Sequence, residues 1–277
     1  MISGKTTLIA HIGYPIESFK APLIYNPWFE KKGIDTVVMP MGVLPENYPS
    51  FLRSLFTISN IRGALVTMPH KVTTASLLDE VTIAVTIAGS CNAILKRPDG
   101  SLLGDMFDGE GFTLGLARRG FIFAGAKCLV IGAGGVGSAI AASLAAKGVE
   151  AITVFDINIV LADGLVSRLG DHYPDLQALV GPNDPTGYDL VVNATPMGMM
   201  PGDPLPFDVT RLAPSTFVGE VVMKSEITPL LQAAQARGCR FQVGTDMLFE
   251  MIPAYLKFFG YGVASPDELR AVAKIRY

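Results

Sequence analysis

The stretch from Lys127 to Asp156 constrains this chain more than any other. A short apolar run, CLVI, meets Gly132-Ala133-Gly134-Gly135-Val136-Gly137; an alanine-rich segment, SAIAASLAAKG, follows, and then a second apolar run, ITVFD. Strand, glycine turn, helix and strand in that order open a dinucleotide-binding fold. Gly132 permits the tight turn, Gly134 lets a pyrophosphate approach the backbone, and Gly137 lets the helix pack closely on the strand. The helix N-terminus then offers free N–H groups and a positive dipole end to phosphates. A bare G-x-G-x-x-G is weak, but this context is much more specific. The alternative is a glycine-rich turn with no ligand.

Asp156 ends the second strand. An acid there accepts hydrogen bonds from ribose hydroxyls and repels a 2′-phosphate. No Arg or Lys occurs in Asp156-Ile157-Asn158-Ile159-Val160. These residues predict NAD in preference to NADP. Should Asp156 merely cap the next helix, the choice of cofactor stays open.

The 277 residues suffice for one large domain or two of moderate size. Ahead of the glycine turn the pattern alternates. TLIAHIG, DTVVMPMGV and IRGALVTMP read as strands; APLIYNPWFEKKG, residues 48–59 and a segment starting at His70 and running to Asp79 read as helices. GSCNAILKRPDGSLLGDMF reads as two strands about the turn Pro98-Asp99-Gly100. After Asp156 come a helix over 160–169, the strands DLVVN and STFVGEVVM, the helix ITPLLQAAQARG, the short strand CRFQVG, a helical 246–260 and a last helix over 266–274. The expectation is two α/β domains, the first with a largely parallel sheet and the second a Rossmann fold. Residues 1–108 form the first and 109–245 the second, with a helical connection near 109–125.

Composition narrows the function. A formal net charge of −3 gives no basic excess for nucleic acid. Cys91, Cys128 and Cys239 are scattered and show no C-x-x-C, which argues against a disulfide framework or thiolate metal site. No uncharged apolar run reaches the roughly 18 residues of a membrane span, and no signal-like leader is visible. The reading is a cytoplasmic protein that binds a small molecule, without a metal, as a monomer or homodimer.

A nicotinamide dehydrogenase moves a proton as well as a hydride and needs an acid/base at the reacting oxygen. Lys71 follows a strand end and a Pro at the start of a helix, where α/β sheets place ligands. Desolvation lets a lysine there lose its charge. Asp108, in GDMFDGEG, reads as a residue on a glycine-flanked turn that could hold an ammonium and a hydroxyl together. Taken singly, each is more often a solvated turn residue.

The order GYPI…P, VTMPHK, GSCN, GDMFDGEG, the glycine turn, DLVVNATPMG, ITPLL and GTDML resembles the shikimate dehydrogenase family over nearly the whole chain. The resemblance implies an N-terminal substrate domain, a Rossmann domain and C-terminal helices, about 246–277, that return to the first domain. It implies reversible oxidation of a ring hydroxyl of shikimate, quinate or a related cyclic polyol with NADP or NAD, the substrate lying in the cleft between the domains. The family's catalytic lysine and aspartate match Lys71 and Asp108, and its substrate-binding threonine and asparagine match Thr67 and Asn92. Asn193, Ala194, Thr195 and Met197 match the turn that lines the cofactor; Val221 and Gly244 complete the expected cofactor set.

The opening loop departs from the pattern. Members read His-Ser-x-Ser-Pro there, and both serines bind the substrate carboxylate; this chain reads Ser18-Phe19-Lys20-Ala21-Pro22. Leu65, Ala93, Met223 and Met251 likewise stand where asparagine, threonine, tyrosine and glutamine are usual, with Glu250 beside Met251. A buried carboxylate deprived of donors loses about 1–3 kcal/mol per missing bond. Either Lys20 turns inward as a point charge, against which its alternation with Phe19 and Ala21 argues, or the substrate lacks that carboxylate or has an apolar group there beside Phe19, Met223 and Met251. The alternative is that Phe19 and the methionines are ordinary core filler. The expected substrate set is Thr67, Asn92, Ser18, Phe19, Lys20 and Met251. Two other readings stand beside this one: an NADP-dependent shikimate dehydrogenase of aromatic amino acid biosynthesis, and a non-catalytic NAD-binding regulatory protein.

Overall fold

The computed structural model describes residues 2–200 and 202–275, so the last two residues of the expected returning segment lie outside it. The chain divides into two compact units, one running to Phe107 and resuming at Ile252, the other spanning Asp108–Met251.

The first unit alternates β1 (Thr7–Gly13), α1 (Pro22–Lys32), β2 (Thr36–Gly42), α2 (Tyr48–Leu55), β3 (Ile61–Val66), α3 (Lys71–Ala75), β4 (Glu80–Val81), α4 (Ile83–Ala88), β5 (Ala93–Lys96) and β6 (Leu102–Asp105). Its sheet has the order β2-β1-β3-β5-β6-β4. β1 runs parallel to both β2 and β3. β5 runs antiparallel to β3 and β6, so the sheet is mixed and less parallel than the alternation predicts. The short link at Gly100, which takes φ +90, folds β6 straight back on β5 and so accounts for the antiparallel β5–β6 pair. Helix α1 starts with Pro22 at its first turn and stops at Gly33, which adopts the left-handed cap. It buries Ile24, Tyr25, Trp28 and Phe29.

Three local expectations fail in this unit. The helix expected over 48–59 ends at Leu55. The helix expected from His70 to Asp79 is only Lys71–Ala75. Strand β4 and helix α4 follow it, and the apolar pattern had not marked them. Ile-Ala-Val-Thr-Ile-Ala of α4 is rich in β-branched residues and carries no helical signature.

The second unit contains α5 (Asp108–Arg118), β7 (Lys127–Ile131), α6 (Gly135–Ala146), β8 (Ala151–Phe155), α7 (Ile159–His172), β9 (Gln177–Val180), β10 (Leu190–Asn193), β11 (Phe217–Glu220), α8 (Pro229–Ala236) and β12 (Phe241–Gln242). Helix α9 (Gly244–Phe259) contains the division between the units, and α10 (Pro266–Val272) closes the described chain in the first. The sheet order is β12-β11-β10-β7-β8-β9, parallel throughout. This is the doubly wound Rossmann order, with its switch point between β7 and β10. Both faces are covered, which explains the unbroken apolar runs CLVI and LVV. Leu129, Ile131, Val191 and Val218 meet Leu230, Leu231 and Ala234 of α8 in the core. Strand β9, an edge strand of four residues, escaped the sequence reading because it is too short to show a period.

Asp108 is not on a turn: it is the first residue of α5 and is 2% exposed. The next residue, Gly109, lets α5 press against α6. A Cβ there would collide with the backbone oxygen of Ala139 and the hydroxyl of Ser143. Alanine's helix preference contributes at most about 1 kcal/mol, and a clash with backbone outweighs it. Gly109→Ala should destabilise the full chain by about 1–3 kcal/mol. Urea unfolding measures this, and a neutral or stabilising result would show that α5 and α6 can separate freely.

Candidate functional site

In the first unit, two loops leave the carboxyl ends of the neighbouring parallel strands β1 and β3. The Thr67 N–H donates to the Ile12 carbonyl at 2.8 Å, and the Tyr14 N–H to the Met68 carbonyl at 3.0 Å. The loops are therefore stitched together where they diverge from the sheet. Gly13 makes this possible: a Cβ there would lie 2.5 Å from Thr67 Cγ2, 2.7 Å from Phe19 Cζ and 2.8 Å from the Met68 carbonyl oxygen. Phe19 thus reaches back from its loop to the strand ends, to the same side of Gly13 that Thr67 occupies. Its ring stacks on His11 of β1 at 4.0 Å between centroids, with 27° between planes. Ala21 is buried, Ser18 is exposed and Lys20 is half-buried, its ammonium pKa lowered by that burial.

Lys71 opens α3, and its place is fixed from behind. His70, 2% exposed, stacks on Tyr48 at 4.0 Å, and its Nε2 contacts the Val43 carbonyl at 2.8 Å. A carbonyl only accepts, so Nε2 carries the proton. Thr74 donates to the His70 carbonyl at 2.8 Å and accepts from the Tyr48 hydroxyl at 2.6 Å. The Lys71 carbonyl accepts from Cys91 N–H at 2.8 Å, which brings Asn92 alongside. Asn92 is 1% exposed, and its Oδ1 accepts from Phe107 N–H at 3.0 Å. Its carbonyl accepts from Val66 N–H and from the Tyr255 hydroxyl. Thr67, Lys71, Asn92 and Phe19 therefore gather at one end of the sheet.

Sequence reasoning missed His11, whose imidazole is 8% exposed. Burial, with a smaller contribution from the charge on Lys71, pushes its pKa down to about 3. The ring is neutral at ordinary pH. The available signal was a single polar ring inside the apolar strand TLIAHIG.

In the second unit the glycine turn lies at the switch point, between the ends of β7 and β10. Gly132 takes φ +103; a Cβ there would lie 3.0 Å from the Ala194 carbonyl and from Thr195 Cγ2. A Cβ on Gly137 would strike the Gly132 oxygen. A Cβ on Gly134 would meet nothing, so the backbone of Gly134 lies open just ahead of α6. Gly135 and Val136 form the first turn of α6, at the positive end of the helix dipole. This cradle fits a pyrophosphate. Asp156 sits beside it: one carboxylate oxygen accepts from Ala133 N–H at 2.7 Å, the other from Asn158 N–H at 2.8 Å. The helix beyond is capped by Asn158, so Asp156 is not its cap. Ile157 is 96% exposed.

The facing turn after β10 is held by a buried network. Asn193 Oδ1 accepts from Thr195 N–H and from its hydroxyl, and Thr195 Oγ1 accepts from Met197 N–H. Asn193 Nδ2 donates to the Met197 carbonyl and, at 2.9 Å, to Glu220. The other Glu220 oxygen accepts from the Thr228 hydroxyl, which also caps α8. Val221 N–H donates to the Asn193 carbonyl, and a Cβ on Gly244 would press on Val222 and Met223. Ala194, Thr195, Met197, Val221 and Gly244 are thus assembled around one turn. Met251, at the end of this unit, backs onto Gly111 of α5, and its neighbour Glu250 pairs with Arg118 at 3.4 Å. Among the described residues no group of three or more His, Cys, Asp and Glu side chains is placed to hold a metal.

Glu220 is fully buried, and desolvation raises its pKa against the opposing bonds from Thr228 and Asn193. The folded state then holds this proton more tightly than the unfolded state, so stability falls as pH rises from the unfolded pKa through the folded one. Glu220→Gln should remove that loss while keeping the turn. Thermal midpoints of the two proteins, compared from pH 4 upward, should diverge in favour of the variant; parallel curves would contradict this.

Residues 11–94 match the family described as shikimate dehydrogenase substrate binding domain. A shikimate dehydrogenase (NADP(+)) of Rubrobacter xylanophilus is 36% identical over 251 residues, covering 89% of this chain and 88% of the relative. Shikimate 5-dehydrogenase of Listeria monocytogenes, solved with shikimate and NAD, aligns with a TM-score of 0.88 and 27% identity over 98% of this chain and 97% of that one. Quinate dehydrogenase of Corynebacterium glutamicum, solved with NAD, aligns with a TM-score of 0.85 and 27% identity over 96% and 98%.

Proposed function

Because the chain belongs to the shikimate dehydrogenase family, we propose that it oxidises and reduces a ring hydroxyl of shikimate, quinate or a related cyclic polyol, using Lys71 and Asp108. The observation that carries this reading is Lys71 at the start of α3, directly after the β3–α3 turn that bears Thr67, in a chain whose glycine cradle is intact. When bound, the nicotinamide takes or supplies the hydride. Lys71 removes the hydroxyl proton during oxidation and returns it during reduction, so the alcohol and carbonyl forms interconvert without a charged oxygen accumulating. Asp108 orients the lysine and the hydroxyl. Thr67 and Asn92 bind neighbouring ring hydroxyls. Gly132–Gly137 hold the pyrophosphate, and Asn193–Met197, Val221 and Gly244 line the rest of the cofactor.

Two finer readings belong to the same proposal. The first is preference for NAD. Asp156 points its carboxylate at the cradle, and no cation follows it through Val160. A 2′-phosphate there would face a like charge, a repulsion of about 1 kcal/mol or more at the partly screened distances of such a site. The second is a changed substrate. Phe19 and the buried Ala21 supply no hydroxyl, so the opening loop suits an uncharged or apolar substituent better than a carboxylate.

One observation favours the other outcome on both points: curated relatives over most of the chain bear the name shikimate dehydrogenase (NADP(+)). Direct titration separates the readings. NAD should bind at least about tenfold more tightly than NADP, and Asp156→Asn should narrow the gap; tighter NADP binding by the wild type would overturn the preference. Turnover of shikimate should fall below the roughly 10⁴ M⁻¹s⁻¹ of an efficient dehydrogenase; a higher kcat/KM would restore the biosynthetic reading. Lys71→Ala should lower kcat about 10²–10⁴-fold and leave NAD affinity within about twofold. Equal loss of both would remove Lys71 from the chemistry, and NAD binding with no turnover of any cyclic alcohol would indicate a regulatory protein.

A further inference from the structure

Among the described residues of the first unit, His11, Tyr25 and Trp28 each bury a side-chain polar atom without a hydrogen-bond partner, and of these His11 is the one stacked on Phe19 of the opening loop. Its Nδ1 is buried and, among the described residues, has no hydrogen-bond partner. Its register neighbours are Pro40 on β2 and Leu65 on β3, whose side chains offer no polar atom. A phenylalanine would fill the same space between apolar strands without the cost of an unbonded nitrogen. The ring lies on the side of β1 that Gly13 shares, two residues further on. Phe19 and Thr67 both approach that side. Phe19 also covers the imidazole as a stacked lid carried on the opening loop. An orphaned nitrogen and its aromatic cover therefore lie at the strand ends where Thr67, the expected substrate threonine, also lies.

We propose that His11 selects the substrate: when Phe19 shifts off its ring, the imidazole hydrogen-bonds an uncharged hydroxyl or carbonyl of the bound ring. This rests on the dehydrogenase reading for the identity of the ring, and it names a contact that reading does not contain. A neutral imidazole has one donor and one acceptor, which suits a hydroxyl. Burial and the nearby Lys71 charge both oppose protonation, so the ring supplies no countercharge for a carboxylate. A site that buries such a nitrogen discriminates against any analogue that leaves it unbonded.

The chain has three histidines, so their ring nitrogens can be followed individually by NMR in ¹⁵N-labelled, NAD-loaded protein, with His11→Phe identifying the signal. Shikimate, quinate and the carboxylate-free cyclitol myo-inositol are the probes. At least one of them should move the His11 Nδ1 resonance, myo-inositol most of all. With the probe that is turned over best, His11→Phe should raise KM about tenfold or more and change kcat less than about threefold. NAD affinity should not change, and His11→Gln should recover part of the loss. An immobile His11 resonance with all three probes overturns the proposal, as does an unchanged KM in a folded His11→Phe. Failure of the dehydrogenase reading looks different: the resonance moves on binding, but no probe is oxidised.

Discussion

Both units are organised by one steric constraint. Loops leaving the carboxyl ends of adjacent parallel strands must approach more closely than a side chain allows. In the first unit the constraint falls on Gly13, whose missing Cβ makes room for Thr67, Phe19 and the Met68 carbonyl. In the second it falls on Gly132 and Gly137, which bring the first turn of α6 and the Ala194–Thr195 turn together at the switch point. Where backbones approach this closely, N–H groups and short side chains from separate loops are presented together. A small polar ligand can then be met from several sides at once.

The two constraints were not equally legible in the sequence. Gly132–Gly137 could be read because the whole motif is local: strand, turn, helix and strand lie within thirty-odd residues of a βαβ unit. Asp156 was legible for the same reason, and its bond to Ala133 ties it to the turn the sequence pointed to. Lys71 was legible through its position after an apolar strand, and Thr67 only through the family resemblance. Gly13 could not be read so directly, since its neighbours Thr67 and Phe19 come from two different loops. The mixed sheet was obscured because alternating strands and helices leave the direction of β5 against β3 undecided; the legible hairpin at Gly100 sets only β6 against β5. Strand β9 and helix α4 were too short, or too β-branched, to carry a period.

Polar groups that act through others were the least legible. Glu220 reads as one acid in an apolar strand, yet it connects Asn193 of one turn to the Thr228 cap of α8. His70 reads as the residue before a lysine, yet its stack on Tyr48 and its bond to Val43 fix where α3 begins. Such residues have no spacing rule because their partners are distant in the chain. Their marker is burial, and burial is a property of the fold.

The contrast between the halves bears on how a family changes its substrate. The cofactor cradle is built from backbone, so altering it means moving strands. The opening loop is built from side chains, and Phe19 or Ala21 can differ while Gly13 and the bonds between Tyr14, Ile12, Thr67 and Met68 keep the loop in place. Losing hydroxyls from such a loop is costly only if the ligand still brings a charge that requires them. In the proposed reading, an aromatic ring stacked on an uncharged imidazole replaces a polar grip with an apolar wall and a single concealed hydrogen-bonding site. On that reading the exchange leaves Lys71 where the strand ends put it, so the proton transfer persists while the choice of ring passes to His11 and its Phe19 cover.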